Sequence, residues 1–388
     1  MGHSSLPLQV INAMRAVLLQ AFLLVLIPCL AYAQVPSPPS LTAKGYILID
    51  HDSNTVLAEK ASTERLEPAS ITKLMTAYVA FNAIKSGQVS LTDEVLISDK
   101  AWRTPGSRMF IEVGKRVPVE LLLQGMIVQS GNDASVAIAE HVAGTESTFA
   151  ELMNQTALNL GMTGTNYVNS TGLPDPELYT TAADIAKLAD AIITDFPEYY
   201  GWYSQKQFTY NGITQDNRNA LLWRDPSVDG LKTGFTDAAG YCLVSSAKRD
   251  DMRLIAIVLG TESSSARAND SQALLNFGFR FFESKLLYSA GQPIADKRVW
   301  YGDPETVPVV TREDIYVVFP RGSYERLEIT TSVPQTLEAP LSSETVVGNL
   351  SVMLDGVQLA SAGLYPAGTV EETGLFGQLS DWVMLFFE

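Results

Sequence analysis

The sequence feature that most limits the possible folds is a set of three short motifs in a fixed order: Ser-Ile-Thr-Lys at 70–73, Ser-Gly-Asn at 130–132 and Lys-Thr-Gly at 232–234. An unassisted serine hydroxyl is a poor nucleophile at neutral pH, so a neighbouring base must take its proton. Residues three apart on a helix lie on one face, which brings Lys73 against Ser70. A lysine held neutral can be that base. The motifs therefore predict a serine acyl-transfer site built without histidine.

Lys73 is expected to be neutral because of the position of its helix. The segment from Ile71 to Ile84 is apolar nearly all round, as in helices at the centre of a domain. Pro68 favours a helix start just before the lysine, so the positive end of the helix dipole also faces it. Burial, this dipole and repulsion from Lys232 all disfavour the ammonium form, so each lowers the pKa of Lys73.

Each motif also has a simpler structural explanation when it is taken alone. Ser70 could cap a helix while Lys73 lies on the surface. Residues 130–133 could form a turn between two helices, and Lys232 could protect the edge of a sheet. The combination favours catalysis because each motif lies in the element that its chemistry requires.

Shifts in composition divide most of the chain into two domains. Residues 34–289 alternate short strands with long helical runs and end in a β meander, with strands predicted at 241–247 and 254–259. This pattern predicts an α/β-type (α+β) domain in which an antiparallel sheet is flanked by helices. Residues 290–373 contain short β-rich runs punctuated by Pro and Gly, which are typical of a small all-β sandwich.

The N-terminal segment at 1–33 has the pattern of a secretory signal peptide. A stretch with Arg15 as its only charge leads into an apolar run and an Ala-x-Ala site at 31–33, so the mature chain is expected to start at Gln34. Met14 is an alternative start. Lipidation of Cys29 is disfavoured because Pro28 stands where a small residue is expected.

The C-terminal segment at 374–388 is predicted to be an amphipathic helix. One face gathers apolar side chains, among them Trp382, Phe386 and Phe387. Fifteen residues cannot span a bilayer, which needs about 20, so the helix is expected to lie at the membrane surface. A helix packed on its own domain is the alternative.

Composition excludes several classes of protein. The net charge of −16 and pI near 4.7 argue against nucleic acid as a partner. His51 and His141 have no zinc-ligand spacing and no Gly-x-Ser-x-Gly motif to serve, which disfavours a zinc peptidase and an α/β-hydrolase. No metal or cofactor is predicted. Cys242, the single cysteine after residue 33, is expected to pack as a small apolar residue.

Further segments resemble the low-molecular-mass penicillin-binding proteins that are serine-type D-alanyl-D-alanine carboxypeptidases. The resemblance extends from about residue 42 to residue 388 and covers both domains and the C-terminal helix. One departure is Phe235, where a small polar residue or histidine often follows the Lys-Thr-Gly motif. Only the backbone N–H is needed there, so the expected difference concerns selectivity near the leaving group. The segments that carry the resemblance are 170–174, 215–219, 228–234, 237–241, 280–283 and 370–374.

The resemblance implies that the chain removes the terminal D-alanine from peptidoglycan stem pentapeptides through an acyl-enzyme on Ser70, which β-lactams also acylate. Lys73 would take the serine proton, and Ser130 would pass a proton to the departing D-alanine. The implied location is the periplasmic face of the bacterial cytoplasmic membrane. The implied substrate-binding residues are Asn132 for an amide, Thr233 and Arg218 for the terminal carboxylate, Lys232 and Gly234, and Phe235 through its N–H in the oxyanion hole.

Two other functions use the same motifs. A β-lactamase adds a positioned glutamate for deacylation, but Glu177 has no nearby asparagine in the expected pattern, and such enzymes lack a β domain and an anchor. A non-catalytic penicillin sensor or wall scaffold would be acylated once and remain so.

Overall fold

The structure, a computed structural model, describes residues 35–386, so the predicted signal segment at 1–33 and residues 387–388 lie outside it. In the first domain the strands are β1 (Gly45–Asp50), β2 (Val56–Lys60), β3 (Glu94–Leu96), β4 (Arg116–Pro118), β5 (Gln207–Tyr210), β6 (Ile213–Asp216), β7 (Val228–Thr236), β8 (Gly240–Arg249) and β9 (Met252–Thr261). The helices are α1 (Thr72–Lys85), α2 (Asp99–Arg103), α3 (Val119–Val128), α4 (Asn132–Ala143), α5 (Glu146–Asn159), α6 (Ala182–Asp195), α7 (Pro197–Tyr200), α8 (Leu221–Arg224) and α9 (Ser264–Phe281).

Five strands form one antiparallel sheet in the order β2-β1-β9-β8-β7. The central strand β9 is a nearly continuous apolar run and is buried along almost its whole length. Helices α6 and α9 pack against this sheet. Gly278 of α9 allows a close approach, since a Cβ atom there would lie 2.4 Å from Leu254 Cδ1. The predicted antiparallel sheet flanked by helices is confirmed, as are the strands predicted at 241–247 and 254–259.

The α-helix that carries Lys73 begins later than Pro68 suggested. Residues Ala69–Ile71 form a single 3₁₀ turn that contains Ser70, and α1 starts at Thr72. Ala69 has a φ of +47°, in the left-handed region that residues with a Cβ atom seldom adopt. Most of α1 is buried, as the all-round apolar pattern predicted.

The second domain contains only β-structure and one short 3₁₀ turn before its last strand. Six of its strands form a sheet in the order β15-β17-β18-β13-β11-β16, and β10 pairs with β14. Apolar side chains such as Val309, Leu350 and Leu364 form its core. The predicted all-β character is confirmed. The strands are β10 (Phe282–Tyr288), β11 (Ala295–Trp300), β12 (Gly302–Asp303), β13 (Thr306–Val310), β14 (Ile315–Pro320), β15 (Leu327–Ser332), β16 (Leu337–Glu338), β17 (Gly348–Leu354), β18 (Val357–Pro366) and β19 (Glu371–Glu372).

Strand β10 bears on the boundary between the two domains. It begins directly after α9 ends at Phe281, and its pairing partner β14 belongs to the second domain. We therefore propose that the boundary lies between Phe281 and Phe282 rather than after residue 289.

The C-terminal helix α10 (Leu375–Leu385) contacts the second domain through a polar side chain. Asp381 is 4% exposed, and its carboxylate accepts hydrogen bonds from Arg298 Nη2 at 2.9 Å and from the Tyr301 backbone N–H at 2.7 Å. The apolar side chains point outward instead, with Phe376 93% and Trp382 59% exposed. Within residues 35–386, no helix is long and apolar enough to cross a bilayer.

Candidate active site

Seven of the nine predicted site residues line one cavity of about 430 Å³. The cavity lies where the 3₁₀ turn at 69–71, the α3–α4 junction and strand β7 meet. The other two residues, Lys73 and Lys232, are both buried next to it. The seven lining residues are Ser70, Ser130, Asn132, Arg218, Thr233, Gly234 and Phe235.

Lys73 is 1% exposed, and its ammonium group has three oxygen neighbours. Its Nζ atom lies 3.0 Å from Ser70 Oγ, 2.7 Å from Asn132 Oδ1 and 2.5 Å from the Thr171 carbonyl oxygen. Two of these contacts are to neutral acceptors that cannot donate a proton. The third is to the hydroxyl of Ser70.

Burial lowers the pKa of Lys73 to about 7, and the nearby Arg218 guanidinium acts in the same direction. The Asp133 carboxylate opposes this shift. The predicted repulsion between Lys73 and Lys232 is confirmed, because Lys73 lowers the pKa of Lys232 and charge repulsion acts on both partners. The structure adds Arg218 as a further repelling cation. A substantial fraction of Lys73 is therefore neutral at physiological pH.

Lys232 lies on β7, is 3% exposed, and donates a hydrogen bond to the Thr233 carbonyl at 3.0 Å. Burial lowers its pKa well below the ordinary value, and Lys73, Arg218 and Arg267 add to the effect. The cavity thus has an excess of buried cationic groups, which an anionic ligand would relieve.

Two glycines, at 172 and 234, allow a loop and strand β7 to pack closely against the turn that carries Ser70. A Cβ atom at Gly234 would lie 3.0 Å from the Pro68 carbonyl oxygen, so a larger residue there would require β7 or the turn to shift by a few tenths of an ångström. At Gly172, whose φ is +81°, a Cβ atom would lie 1.8 Å from the Ala69 carbonyl oxygen. The turn that carries Ser70 is therefore held between β7 and the loop at 169–173.

Ser130 lies between α3 and α4 in a strained backbone conformation, with a φ of +68°. Its side chain is buried, and its Oγ atom has no hydrogen-bond partner among the described residues. A buried hydroxyl without a protein partner is unfavourable, so Ser130 Oγ is available to form a hydrogen bond with a group bound in the cavity.

Asn132 contacts Lys73 with one end of its amide and the protein backbone with the other. Its Nδ2 atom donates to the Pro105 carbonyl at 2.7 Å, which fixes the orientation of the side chain. One N–H of this amide is left to bind a substrate carbonyl.

Phe235 lies at the rim of the cavity and is 47% exposed. Its ring is close to that of Tyr241, with 4.2 Å between the ring centroids. Thr233 and Phe235 are two residues apart on one strand, so their side chains share a face of β7. The residue that departs from the family pattern therefore forms an apolar wall beside the Thr233 hydroxyl.

Sequence reasoning missed Thr171, whose carbonyl accepts from Lys73, and Arg267, which also lines the cavity. Arg267 of α9 donates to the Gly234 carbonyl at 3.0 Å. The segment at 170–174 resembles the family, but a backbone carbonyl gives no side-chain signal in a sequence. A single arginine within a long helix gives none either. Among the described residues, no cluster of three or more His, Cys, Asp or Glu could hold a metal ion.

This fold and this buried Ser–Lys pair define a serine acyl-transfer enzyme of the penicillin-recognising class. Residues 32–263 match the family described as D-alanyl-D-alanine carboxypeptidase, and residues 282–372 match the C-terminal domain of penicillin-binding protein 5. The chain belongs to the D-alanyl-D-alanine carboxypeptidase family.

Individual relatives agree with this assignment. The chain is 43% identical to D-alanyl-D-alanine carboxypeptidase DacC of Escherichia coli K12 over 377 residues, covering 95% of this chain and 94% of the relative. It is 41% identical to DacA of Haemophilus influenzae over 90% of both chains. The crystal structure of penicillin-binding protein 5 from Haemophilus influenzae superposes with a TM-score of 0.84 at 40% identity, over 87% of this chain and 100% of the other. The predicted family and peptidase class are confirmed, and the β-lactamase and non-catalytic alternatives are disfavoured.

Proposed function

We propose that the chain removes the terminal D-alanine from peptidoglycan stem peptides by a double-displacement reaction in which Ser70 is the nucleophile and Lys73 the general base. The observation that carries the assignment is the 3.0 Å contact between Ser70 Oγ and the buried Lys73 Nζ. A base whose pKa lies near 7 matches the working pH, which is the condition for efficient proton transfer.

The hydrogen bonds of Lys73 orient it for this role. A neutral amine has two N–H donors and one lone pair, and the Asn132 and Thr171 oxygens accept both donors. The lone pair then faces Ser70 Oγ, and the serine hydroxyl donates to it. Attack on the penultimate D-alanyl carbonyl transfers the serine proton to Lys73 as the C–O bond forms.

The leaving amine needs a proton as the C–N bond breaks. We assign this step to Ser130, whose hydroxyl gives its proton to the amine and regains one from the protonated Lys73, with Lys232 supporting it. Lys73 is thereby neutral again before deacylation. The backbone N–H groups of Ser70 and Phe235 would stabilise the oxyanion of the tetrahedral intermediate. Water then attacks the ester, again with Lys73 as base, and releases a stem peptide one residue shorter.

The cationic character of the cavity accounts for the choice of a C-terminal substrate. Arg218, Arg267 and Thr233 line the same cavity as Ser70. A terminal carboxylate would bind these groups and partly offset the cost of burying them. A penicillin presents a carboxylate and a reactive amide in a similar arrangement, so it should acylate the same serine.

The test combines labelling and turnover. A labelled penicillin should form one ester per chain, on Ser70, and a pentapeptide ending in D-Ala-D-Ala should release D-alanine. Ser70→Ala should abolish both signals. Labelling that persisted in this variant would mean that the nucleophile lies elsewhere.

We further propose that residues 1–33 direct export and that α10 attaches the protein to the membrane surface on the periplasmic side. Support for the second point comes from the outward apolar side chains of the helix, chiefly Leu375, Phe376 and Trp382, which a lipid interface would cover.

A further inference from the structure

Glu146, the first residue of α5, holds a carboxylate behind the loop at 169–173 that faces Ser70, and its side chain is 12% exposed. Its Oε1 atom accepts from the Ser170 backbone N–H at 3.1 Å and from Ser170 Oγ at 2.8 Å. Its Oε2 atom forms an ion pair with Lys100 Nζ at 2.8 Å. Both carboxylate oxygens are thus engaged, one of them by the active-site loop alone.

The carbonyl group of Ser170 is also held in place. The Ser170 carbonyl accepts hydrogen bonds of 2.7 Å from both Thr76 Oγ1 and Ser135 Oγ, and all three side chains are buried. The next carbonyl along the chain, that of Thr171, accepts from Lys73 Nζ. Any shift of Ser170 therefore moves the acceptor that orients the base.

We propose that Glu146 is a positioning residue for acyl transfer, which acts through Ser170 to hold the Thr171 carbonyl against Lys73 Nζ. Glu146 does not line the cavity, so its effect on the reaction is transmitted through the loop alone. The inference rests on the proposed role of Lys73 as base.

Loss of Glu146 should be detectable as a change in the pKa of Lys73, because of the charges and hydrogen bonds around the two side chains. Burial raises the pKa of Glu146, but hydrogen bonds from Lys100 and Ser170 outweigh it and lower that pKa, so the carboxylate is ionised at neutral pH. Lys73 faces Arg218 and Asp133, and it in turn acts on Lys232. Among the described residues, the hydrogen bonds and ion pair of Glu146 are with Ser170 and Lys100 and not with these groups. A carbonyl acceptor favours the ammonium form of Lys73, so its withdrawal lowers the pKa of Lys73 further.

The experiment measures the second-order rate of Ser70 acylation by a labelled penicillin from about pH 5 to pH 9 in the full chain, normalised to the sites that finally label. Glu146→Ala should slow acylation about ten- to a hundredfold, as expected for a misplaced catalytic group. The acid limb of the pH–rate profile of this variant should also move to lower pH. Ser170→Ala, which keeps the backbone contact, should show a smaller change of both kinds.

Two variants separate positioning from general loss of stability. Glu140→Ala removes a comparable bond, from Ser98 Oγ to Glu140 Oε2 at 2.6 Å, that involves no residue of the loop, and it should leave the rate and its pH dependence unchanged. Lys100→Met removes only the ion pair, whose lysine is 57% exposed, and should have little effect.

A slower rate with an unmoved acid limb in Glu146→Ala, or a rate equal to that of Glu140→Ala, would overturn the inference. If the unaltered chain failed to label at Ser70, the proposed function itself would fall, and the inference with it.

Discussion

Lys73 of the catalytic domain and Asp381 of the C-terminal helix are both buried charged side chains, but they serve opposite purposes. Lys73 is 1% exposed and bonded only to neutral oxygens, whereas Asp381 is 4% exposed and paired with the cationic Arg298. Lys73 has no counter-charge at hydrogen-bond distance, so burial lowers its pKa and suits it to act as a base. Asp381 is buried beside the cationic Arg298, and this ion pair attaches α10 to the second domain. The local partner, rather than burial itself, decides which role follows.

The two regions also differ in where they leave apolar surface. The catalytic domain buries its apolar side chains around α1 and β9, so that its active site is a polar cavity in a packed interior. Helix α10 instead fixes its one buried acid to the second domain and leaves Phe376 and Trp382 exposed. The same polar contact that docks this helix directs its apolar face away from the protein.

The largest expected effect comes from changing the base. Lys73→Arg keeps the charge but cannot supply a neutral amine, so acylation of Ser70 by a labelled penicillin should fall by about 10²-fold or more. Lys232→Arg is the matched comparison, because it keeps a cation for the substrate carboxylate and should be milder. Equal acylation rates in the two variants would contradict the assignment of Lys73.

A somewhat smaller effect is expected from pH. The neutral form of Lys73 is the active one, and burial lowers its pKa to about 7. The acylation rate should therefore rise with pH and level off above about 7, falling roughly tenfold per unit on the acid side. A rate measured across this range that stayed flat, or that levelled off only near pH 10, would show that Lys73 keeps an ordinary pKa.

Removal of residues 374–388 should release the protein from membranes and leave its activity on small peptides intact, since the catalytic residues lie in the other domain. Attachment should rest on apolar area, at roughly 1.5–3 kcal/mol for each large side chain inserted. Sedimentation with lipid vesicles checks this. Trp382→Glu should loosen binding, and high salt should not. Full retention after truncation would argue against α10 as the anchor.

Sequence reasoning could bring the candidate catalytic residues together because their relations are local. Ser70 and Lys73 are three residues apart, and Lys232, Thr233 and Gly234 are consecutive on one strand, so spacing alone brought each set together. The partners that tune Lys73 come from distant segments. Thr171 lies 98 positions from it along the chain, and no short pattern encodes that contact.

Contacts between residues far apart in sequence also explain why the contact of Asp381 and the pairing of strand β10 were not predicted. Sequence reasoning assigned no contact to Asp381, because helical periodicity separates polar from apolar faces but cannot show what the polar face contacts. Its partner Arg298 lies 83 positions away. Strand β10 was likewise assigned to the first domain because its pairing with β14 is set by tertiary structure rather than by composition.

The smallest expected effect comes from Asp381, and it tests the contrast between the two buried charges. Asp381→Ala leaves Arg298 and the Tyr301 N–H without their acceptor, at a cost of about 1–3 kcal/mol in docking of α10. Asp381→Asn keeps an oxygen for Tyr301 and should lose less. Amide hydrogen exchange in α10 should quicken in that order, while D-alanine release is unchanged. Asp303→Asn, an exposed acid on nearby β12, is the control and should alter neither. Exchange in α10 that did not respond to Asp381→Ala would mean that apolar packing, and not this carboxylate, holds the helix.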